Sequence, residues 1–533
     1  MNFNATRIPY RETGYFSGIV LDYLDHAEAL KPFFNYTASL NGIQKAIEAR
    51  KKFPIDRNKL VAEIKKQYEG VDTSSKAVNN IVSLLSEKTF TITTAHQPNI
   101  FTGPLYFIYK ILHAIKLAEL CKQSISGYEF VPVFWMGSED ADLDELGHIN
   151  LGGKKLEWKT MQSGAVGRMK IDKDFLSLIR DLEGQLNVQP FGKEITTLVK
   201  ECFKEGVLIQ DATFHFLNAL FGEYGLVVLI PDNEALKKQM IPVFEDDMLN
   251  ETASGIVAKT AERLQVASYK QQVNPREINL FYLKDNIRER IIKQSESYKV
   301  QGTSLSMSEE ELKKELYDHP DLFSPNVILR GIYQESILPN IVFIGGGGEI
   351  AYWLQLKELF HHYNVHFPVL ILRNSFELVE KKWQEKISRL GFTPEDFFLP
   401  ELELVKRLVE KESRQDIKLN GVYSDTEEFY DKIKAQATNV DSSLAKHVDA
   451  LKKQSLQRLQ NLEKKMLRAE KRKYSEQQRQ IHTIKENLFP QNGLQERSEN
   501  MMNYYSLWGK ELFQMLYKHS LGMEQEFVVM NES

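Results

Sequence analysis

Three short segments hold most of the side chains able to do chemistry, and each directly follows an apolar run. TAHQPNIFTGPLY carries His96, Gln97 and Asn99, then Thr102 and Gly103 where a helix is expected to start. Thr102 there can cap the helix, and exposed backbone N–H groups favour a carboxylate or phosphate. Pro98, Gly103 and Pro104 equally suit plain turn chemistry. GSEDADLDEL supplies Glu139, Asp140 and Asp142, acids suited to bind an amine, accept a proton or hold Mg2+. The competing role is N-capping of a short helix, which Ser138 and Asp140 would also serve. IGGGGEIAYWLQL sets Gly345, Gly346, Gly347 and Gly348 between a buried strand and an amphipathic helix bearing Glu349 and Tyr352. Such a run permits positive φ and close approach of backbone to a ligand, and its N–H groups can form an anion nest. It is neither a GxGxxG fingerprint nor a P-loop, because no Lys-Ser/Thr follows.

Arg330, at the end of NVILR, offers a charge-assisted clamp for an anion. Gln97, Asn99, Gln334 and Tyr352 offer neutral hydrogen bonds. The two cysteines, Cys121 and Cys202, sit in helical patterns without a CxxC or Cys/His neighbour, so neither a disulfide framework nor a metal site is expected. No G-x-S-x-G, H-E-x-x-H or triad pattern occurs.

These segments need a frame. TFTITTA, YEFVPVFWMG, LVVLIPD, NIVFIGG and FPVLILR read as strands buried on both faces, with helices between them. Alternation of that kind predicts an α/β, doubly wound parallel sheet, with ligands at the carboxyl ends of the strands. Residues 15–88 read as mostly helical. Two stretches, about 151–210 and 250–325, are too long for simple crossovers and read as insertions in a core spanning 1–375. Residues 376–533 read as a helical region. Its long arm, about 441–487, lacks Pro and Gly and carries Val448, Leu451, Leu459, Leu462, Met466 and Ala469 near heptad spacing, with Ser455 interrupting the seam. A return helix over about 496–519 is expected to run back antiparallel.

The hydrophobic fraction of 42% and charged fraction of 26% are those of a globular protein, and a net charge of -5 gives no general pull towards nucleic acid or an anionic membrane. The Lys/Arg excess along 452–485 is local and lacks interleaved aromatics for base stacking. No apolar stretch reaches spanning length, and the opening MNFNATRIPYRETGYFSG lacks a secretory pattern, so a cytoplasmic location is expected.

In this order, TAHQPNIFTGPLYFIYKILHAIKLA, FVPVFWMGSEDADLDELGHI, LRGIYQESILPNIVFIGGGGEIAYWLQL and the late LFPQNGLQER resemble the BshC family, the cysteine ligases of bacillithiol biosynthesis. The resemblance runs through almost the whole chain. It implies a Rossmann-like core with two connecting insertions and a C-terminal coiled-coil domain that supports a homodimer. It also implies an enzyme joining cysteine to the amine of glucosaminyl-malate, the last step of the route. An adenine nucleotide, ATP or ADP, is implied near the coiled-coil region, where Asn492, Gly493 and Tyr505 match. Family members often read EDHD where this chain has Glu139-Asp140-Ala141-Asp142, so His96 is the expected substitute acid/base. They also often read GQQ at Ala95-His96-Gln97 and GGPGE at Gly345–Glu349. Amide formation requires an activated carboxylate, usually made with ATP as an acyl-adenylate or acyl-phosphate; the implied core resembles that of class I aminoacyl-tRNA synthetases, but their HIGH and KMSKS signatures are missing, which weakens the adenylate route. The alternative is a nucleotide- or sugar-binding protein without ligase activity, whose arm recruits a partner.

Overall fold

A computed structural model describes residues 3–412 and 418–532. The five apolar runs form one sheet: β1 (Thr89–His96), β2 (Glu129–Met136), β3 (Val227–Leu229), β4 (Asn340–Gly345) and β5 (Val369–Leu372). Every neighbouring pair is parallel, in the order β5-β4-β1-β2-β3. These strands lack polar alternation because helices cover the sheet. On one face Ala114, Leu117, Ala118 and Cys121, from the helix Tyr106–Ser124, join Ile43 and Ile47, from Leu40–Arg50, over Phe90, Ile92, Ile341 and Ile371. The chain builds outward from β1 through β2 to β3, then returns to β4 on the other side of β1. The order therefore reverses between β1 and β4, and a crevice opens beyond their carboxyl ends. This is the Rossmann-like, doubly wound arrangement expected.

By contact density, residues 3–377 and 493–530 make one compact unit and 378–492 another. Within the first, the stretch after β2 holds a hairpin (His148–Leu151 with Lys154–Glu157) and then the helices Lys173–Leu186 and Gly192–Cys202. The stretch before β4 holds an antiparallel sheet that includes Leu280–Lys284, Ile287–Gln294 and Phe323–Pro325. The return helix expected over 496–519 is two helices, Met501–Trp508 and Glu511–His519, which pack on Gly192–Cys202 and Tyr106–Ser124 of the same unit. Gly509, at φ 59, divides them.

In the second unit the arm is Leu444–Lys471, a 3-10 turn Arg472–Tyr474, and Ser475–Leu488. Its antiparallel partner is the preceding helix, Asn420–Val440. The chain reverses at Asp441, whose carboxylate accepts from Ser443 N at 2.8 Å, an Asx turn. Ser455, the break in the heptad pattern, shares a 2.7 Å hydrogen bond with Tyr430 across the hairpin. Lys434–Asp449 and Lys452–Asp431 pairs keep the same register. Among the described residues no helix is long and apolar enough to cross a membrane.

Arg330 sits on the helix Val327–Ile337, which Asn326 caps, its side chain accepting from Ile328 N at 2.8 Å. One local expectation is corrected. The helix after β1 starts at Tyr106, not Gly103, and Thr102 caps nothing. Instead Phe101, Thr102 and Gly103 are successive left-handed residues, φ 50, 70 and 58. A β-branched residue there is strained. Asn500 holds the turn, its Nδ2 donating to Phe101 O at 2.9 Å and Gly103 O at 2.6 Å. A Cβ at Gly103 would stand 2.7 Å from the Asn99 Cβ. Gly103→Ala is therefore expected to cost about 1–3 kcal/mol, read as a lower urea midpoint; an unchanged midpoint would mean the turn relaxes freely.

Candidate active site

A cavity of about 310 Å³ lies at the carboxyl ends of β1, β2 and β4, at the small end of ligand-sized clefts. All three sequence segments reach it, though not with every residue expected to.

The glycine turn leads from β4 into the helix Gly347–Trp353, and Gly346, Gly347 and Gly348 line the cavity. A Cβ on Gly345 would meet Phe343 at 2.9 Å and the Glu349 Cβ at 3.0 Å, so that position needs glycine. The first amide of the turn is already occupied: Gly346 N donates to Glu349 Oε2 at 2.8 Å. Glu349 is also paired with Lys110, whose ammonium donates to Ala95 O at 2.9 Å. The chain thus supplies its own anion to part of the nest. Lys110 rises from the buried face of Tyr106–Ser124, and burial lowers its pKa against the pull of Glu349.

His96 ends β1 and lines the cavity, with its ring edge-on to Tyr106 and Phe107 at 5.2 and 5.4 Å. Burial first, then the charges of Lys110, Arg373 and Arg330, hold its pKa well below the ordinary histidine value. The ring is therefore neutral near pH 7, and its buried Nε2 has no hydrogen-bond partner. An imidazole of such suppressed basicity suits hydrogen bonding better than the acid/base role expected for it.

The acid loop divides. Glu139 is buried and lines the cavity, with Lys237 bonded to its Oε1. Burial raises its pKa, opposed by Lys237. Asp140 also lines the cavity; its Oδ2 accepts from Gln97 Nε2 at 3.2 Å and its Oδ1 from Asp142 N at 3.2 Å. Asp142 itself is exposed and caps Leu143–Leu146, accepting from Glu145 N at 3.0 Å. It does not line the cavity, so capping is the role left to it. Asp142→Ala is expected to cost about 0.5–2 kcal/mol and leave turnover per folded molecule unchanged; a loss of kcat would return Asp142 to the site.

From Val327–Ile337, Arg330 enters the cavity and donates to Tyr352 Oη at 2.5 Å and Gln334 Oε1 at 3.3 Å. Tyr352 lines the cavity, whereas Gln334 is fully buried behind it and tied to Glu335 at 2.8 Å. Gln334 therefore orients Arg330 and touches no ligand space. Asn99, Thr102 and Gly103 do not line the cavity either: they form the strained turn, where Asn99 Oδ1 and Thr102 Oγ1 are buried without partners.

Sequence reasoning missed most of the cationic lining. Lys110, Arg288, Arg373 and Arg497 line the cavity with Arg330, giving five basic against three acidic side chains. Arg373 makes a two-pronged pair with Glu496, at 2.7 and 2.9 Å, both side chains buried. Arg373 follows β5 directly, so the strand-end rule applied to FPVLILR would have found it. Lys110 was visible as a lone base in the apolar YFIYKILHAI. Arg288, on Ile287–Gln294, and Arg497 carry no sequence signal. Neither cysteine lines the cavity, and burial pushes both thiols up to about 12.

Asn492, Gly493 and Tyr505 do not line this cavity. Asn492 is exposed, with φ 59. The Tyr505 hydroxyl donates to Glu194 at 2.7 Å and its ring packs 5.5 Å from Phe513.

Comparison with known proteins matches two family models: "Bacillithiol biosynthesis BshC, N-terminal Rossmann-like domain" over residues 3–374, and "Bacillithiol biosynthesis BshC, C-terminal coiled-coil domain" over 376–532. A protein of Flavobacterium psychrophilum named "Putative cysteine ligase BshC" is 41% identical over 508 residues, 95% of each chain. Proteins of the same name from Flavobacterium johnsoniae and Cytophaga hutchinsonii are 38% and 39% identical, over 98% and 94% of each chain.

Proposed function

The chain belongs to the BshC family of bacillithiol biosynthesis, and from that membership we propose that it is a ligase joining the carboxyl group of L-cysteine to the amine of glucosaminyl-malate, the last step of that route. The observation that carries this reading is the mixed lining of one cavity. Five basic side chains suit carboxylate or phosphate oxygens, while Glu139 and Asp140 suit an amine. No enzyme thiol stands ready to form a covalent intermediate.

In this reading Arg330, steadied by Tyr352 and Gln334, grips an anionic oxygen, and Lys110 adds charge beside it. Glu139 holds the substrate ammonium and takes its proton, so that the neutral amine can attack. Its raised pKa brings it towards the working pH of a general base. Most of the rate then comes from holding two substrates together. His96 and Gln97 supply neutral hydrogen bonds.

ATP is the proposed co-substrate and would supply the activation that a free carboxylate lacks, with Mg2+ as its counter-ion. Tyr505 does not fit a phosphate, because its hydroxyl is committed to the Glu194 carboxylate. A homodimer through the helical hairpin belongs to the same reading: Leu451 and Leu462 leave apolar surface exposed on the long helix.

The test is mass spectrometry on purified protein with cysteine, glucosaminyl-malate and ATP-Mg, omitting each in turn. Bacillithiol only in the complete mixture is the expected result, and AMP or ADP identifies the activation route. Saturable glucosaminyl-malate binding without product would favour the non-catalytic binding protein.

A further inference from the structure

A lysine buried without compensation is costly, yet the side chain of Lys237 is 0% exposed. It ends the short helix Glu234–Lys237 just after β3. Its ammonium donates to Glu139 Oε1, to Asp232 Oδ1 at 3.2 Å and to Asp321 O at 3.0 Å. Asp232 in turn takes both prongs of Arg168, at 2.6 and 2.7 Å, and Arg168 also reaches Asp321 O at 3.3 Å. Glu139, Lys237, Asp232 and Arg168 thus alternate in sign along one chain of contacts. Only Glu139 lines the cavity. Three separate segments meet to build this row: the loop after β2, the stretch after β3 and the turn Val166–Arg168. Stability alone gives no reason for it, since apolar residues of similar volume replace a buried ion pair at little or no loss.

We infer that Lys237 and Asp232 are positioning residues for Glu139: Lys237 fixes Oε1, Asp232 competes for the same ammonium, and Oε2 is left to meet the substrate amine. The inference rests on the role proposed for Glu139. The groups around that carboxylate are Lys237, Asp232 and Arg168, with Arg288 from the antiparallel sheet, Asp140 beside it, Asp321, and Tyr333 from Val327–Ile337. Burial and Asp232 favour the protonated acid, whereas Lys237 and Arg288 favour the anion. Burial and the nearby acids hold the Tyr333 hydroxyl far above its ordinary pKa, so it stays neutral.

Two substitutions therefore act in opposite directions. Lys237→Met leaves burial and Asp232 unopposed by the ammonium, so the acid limb of the kcat profile moves to higher pH. On the acid limb itself, activity at a fixed pH then falls about tenfold per unit of movement and returns as pH rises. Asp232→Asn removes the repelling charge, so the limb moves to lower pH. A merely structural role lowers both profiles without displacing either.

An activity-free measurement accompanies these. Infrared difference spectra of K237M minus parent, both as the full chain at pH 7, should show added protonated carboxyl absorption that is lost when E139Q is introduced. No such band, or profiles with limbs that coincide with the parent's, overturns the inference. If K237M does not fold, D232N decides it: an acid limb that stays in place overturns it. If the parent protein forms no amide at all, the ligase reading fails, while the infrared band still decides what Lys237 does.

Discussion

Glu139→Gln is expected to lower kcat for amide formation by about 10²–10⁴-fold, with a much smaller loss of affinity for glucosaminyl-malate, whose malate stays gripped by the basic side chains. The carboxylate is one of only two acids from its loop at the cavity, and glutamine keeps its shape while losing the ability to take a proton. Lys237 retains Asp232 and Asp321 O as partners, so the surrounding structure has reason to persist. The anion-binding side chains, Arg330 and Lys110, bond to Tyr352, Gln334, Glu349 and Ala95 rather than to Glu139. Single-turnover product formation and calorimetric binding of glucosaminyl-malate separate the two effects. If kcat stays within a factor of a few, Glu139 is no base and Asp140 inherits the role. If binding disappears along with turnover, the acid serves chiefly to hold the ammonium.

The second large effect is on stability. Glu496→Gln leaves the Arg373 guanidinium buried beside a neutral amide, and breaking a buried pair in this way costs about 3–5 kcal/mol. Ser375 contributes a 3.2 Å hydrogen bond to the same carboxylate but brings no charge. The double variant Arg373→Met/Glu496→Leu removes both charges and should recover most of that loss. Activity should not recover with it, because Arg373 also lines the cavity. Urea unfolding of the full-length variants checks the first claim and the product assay the second. A single variant as stable as the parent would show that water reaches the pair.

Much of this frame was legible before any coordinates. Continuous apolar runs such as FVPVFW and NIVFIG, alternating with helical patterns, point to parallel strands, because a sheet covered on both faces has no polar side. The strand-end rule then brought His96, Glu139, Asp140 and Gly346 to one place, although 250 residues separate the first from the last. Local rules failed where distant chain intervenes. Thr102 has every mark of an N-cap, but Asn500 pins its turn in a left-handed path and delays the helix to Tyr106. Gln334 has the right polarity for a ligand contact, yet its position on Val327–Ile337 turns it inward. The basic lining was largely invisible because its members come one at a time from a helix, an inserted sheet, a strand end and the far C-terminal piece.

That last contribution sets an order of events during synthesis. The partners of Phe101, Gly103 and Arg373 are Asn500 and Glu496, and the closer of these pairs is 123 residues apart in the chain. At ribosomal rates of ~5–20 residues/s, Arg373 waits roughly 6–25 s for its counter-charge. Until then its guanidinium must remain hydrated and the turn after β1 unpinned. Until residues 493–530 have left the ribosome, a nascent chain therefore carries a nearly complete sheet with an unfinished pocket.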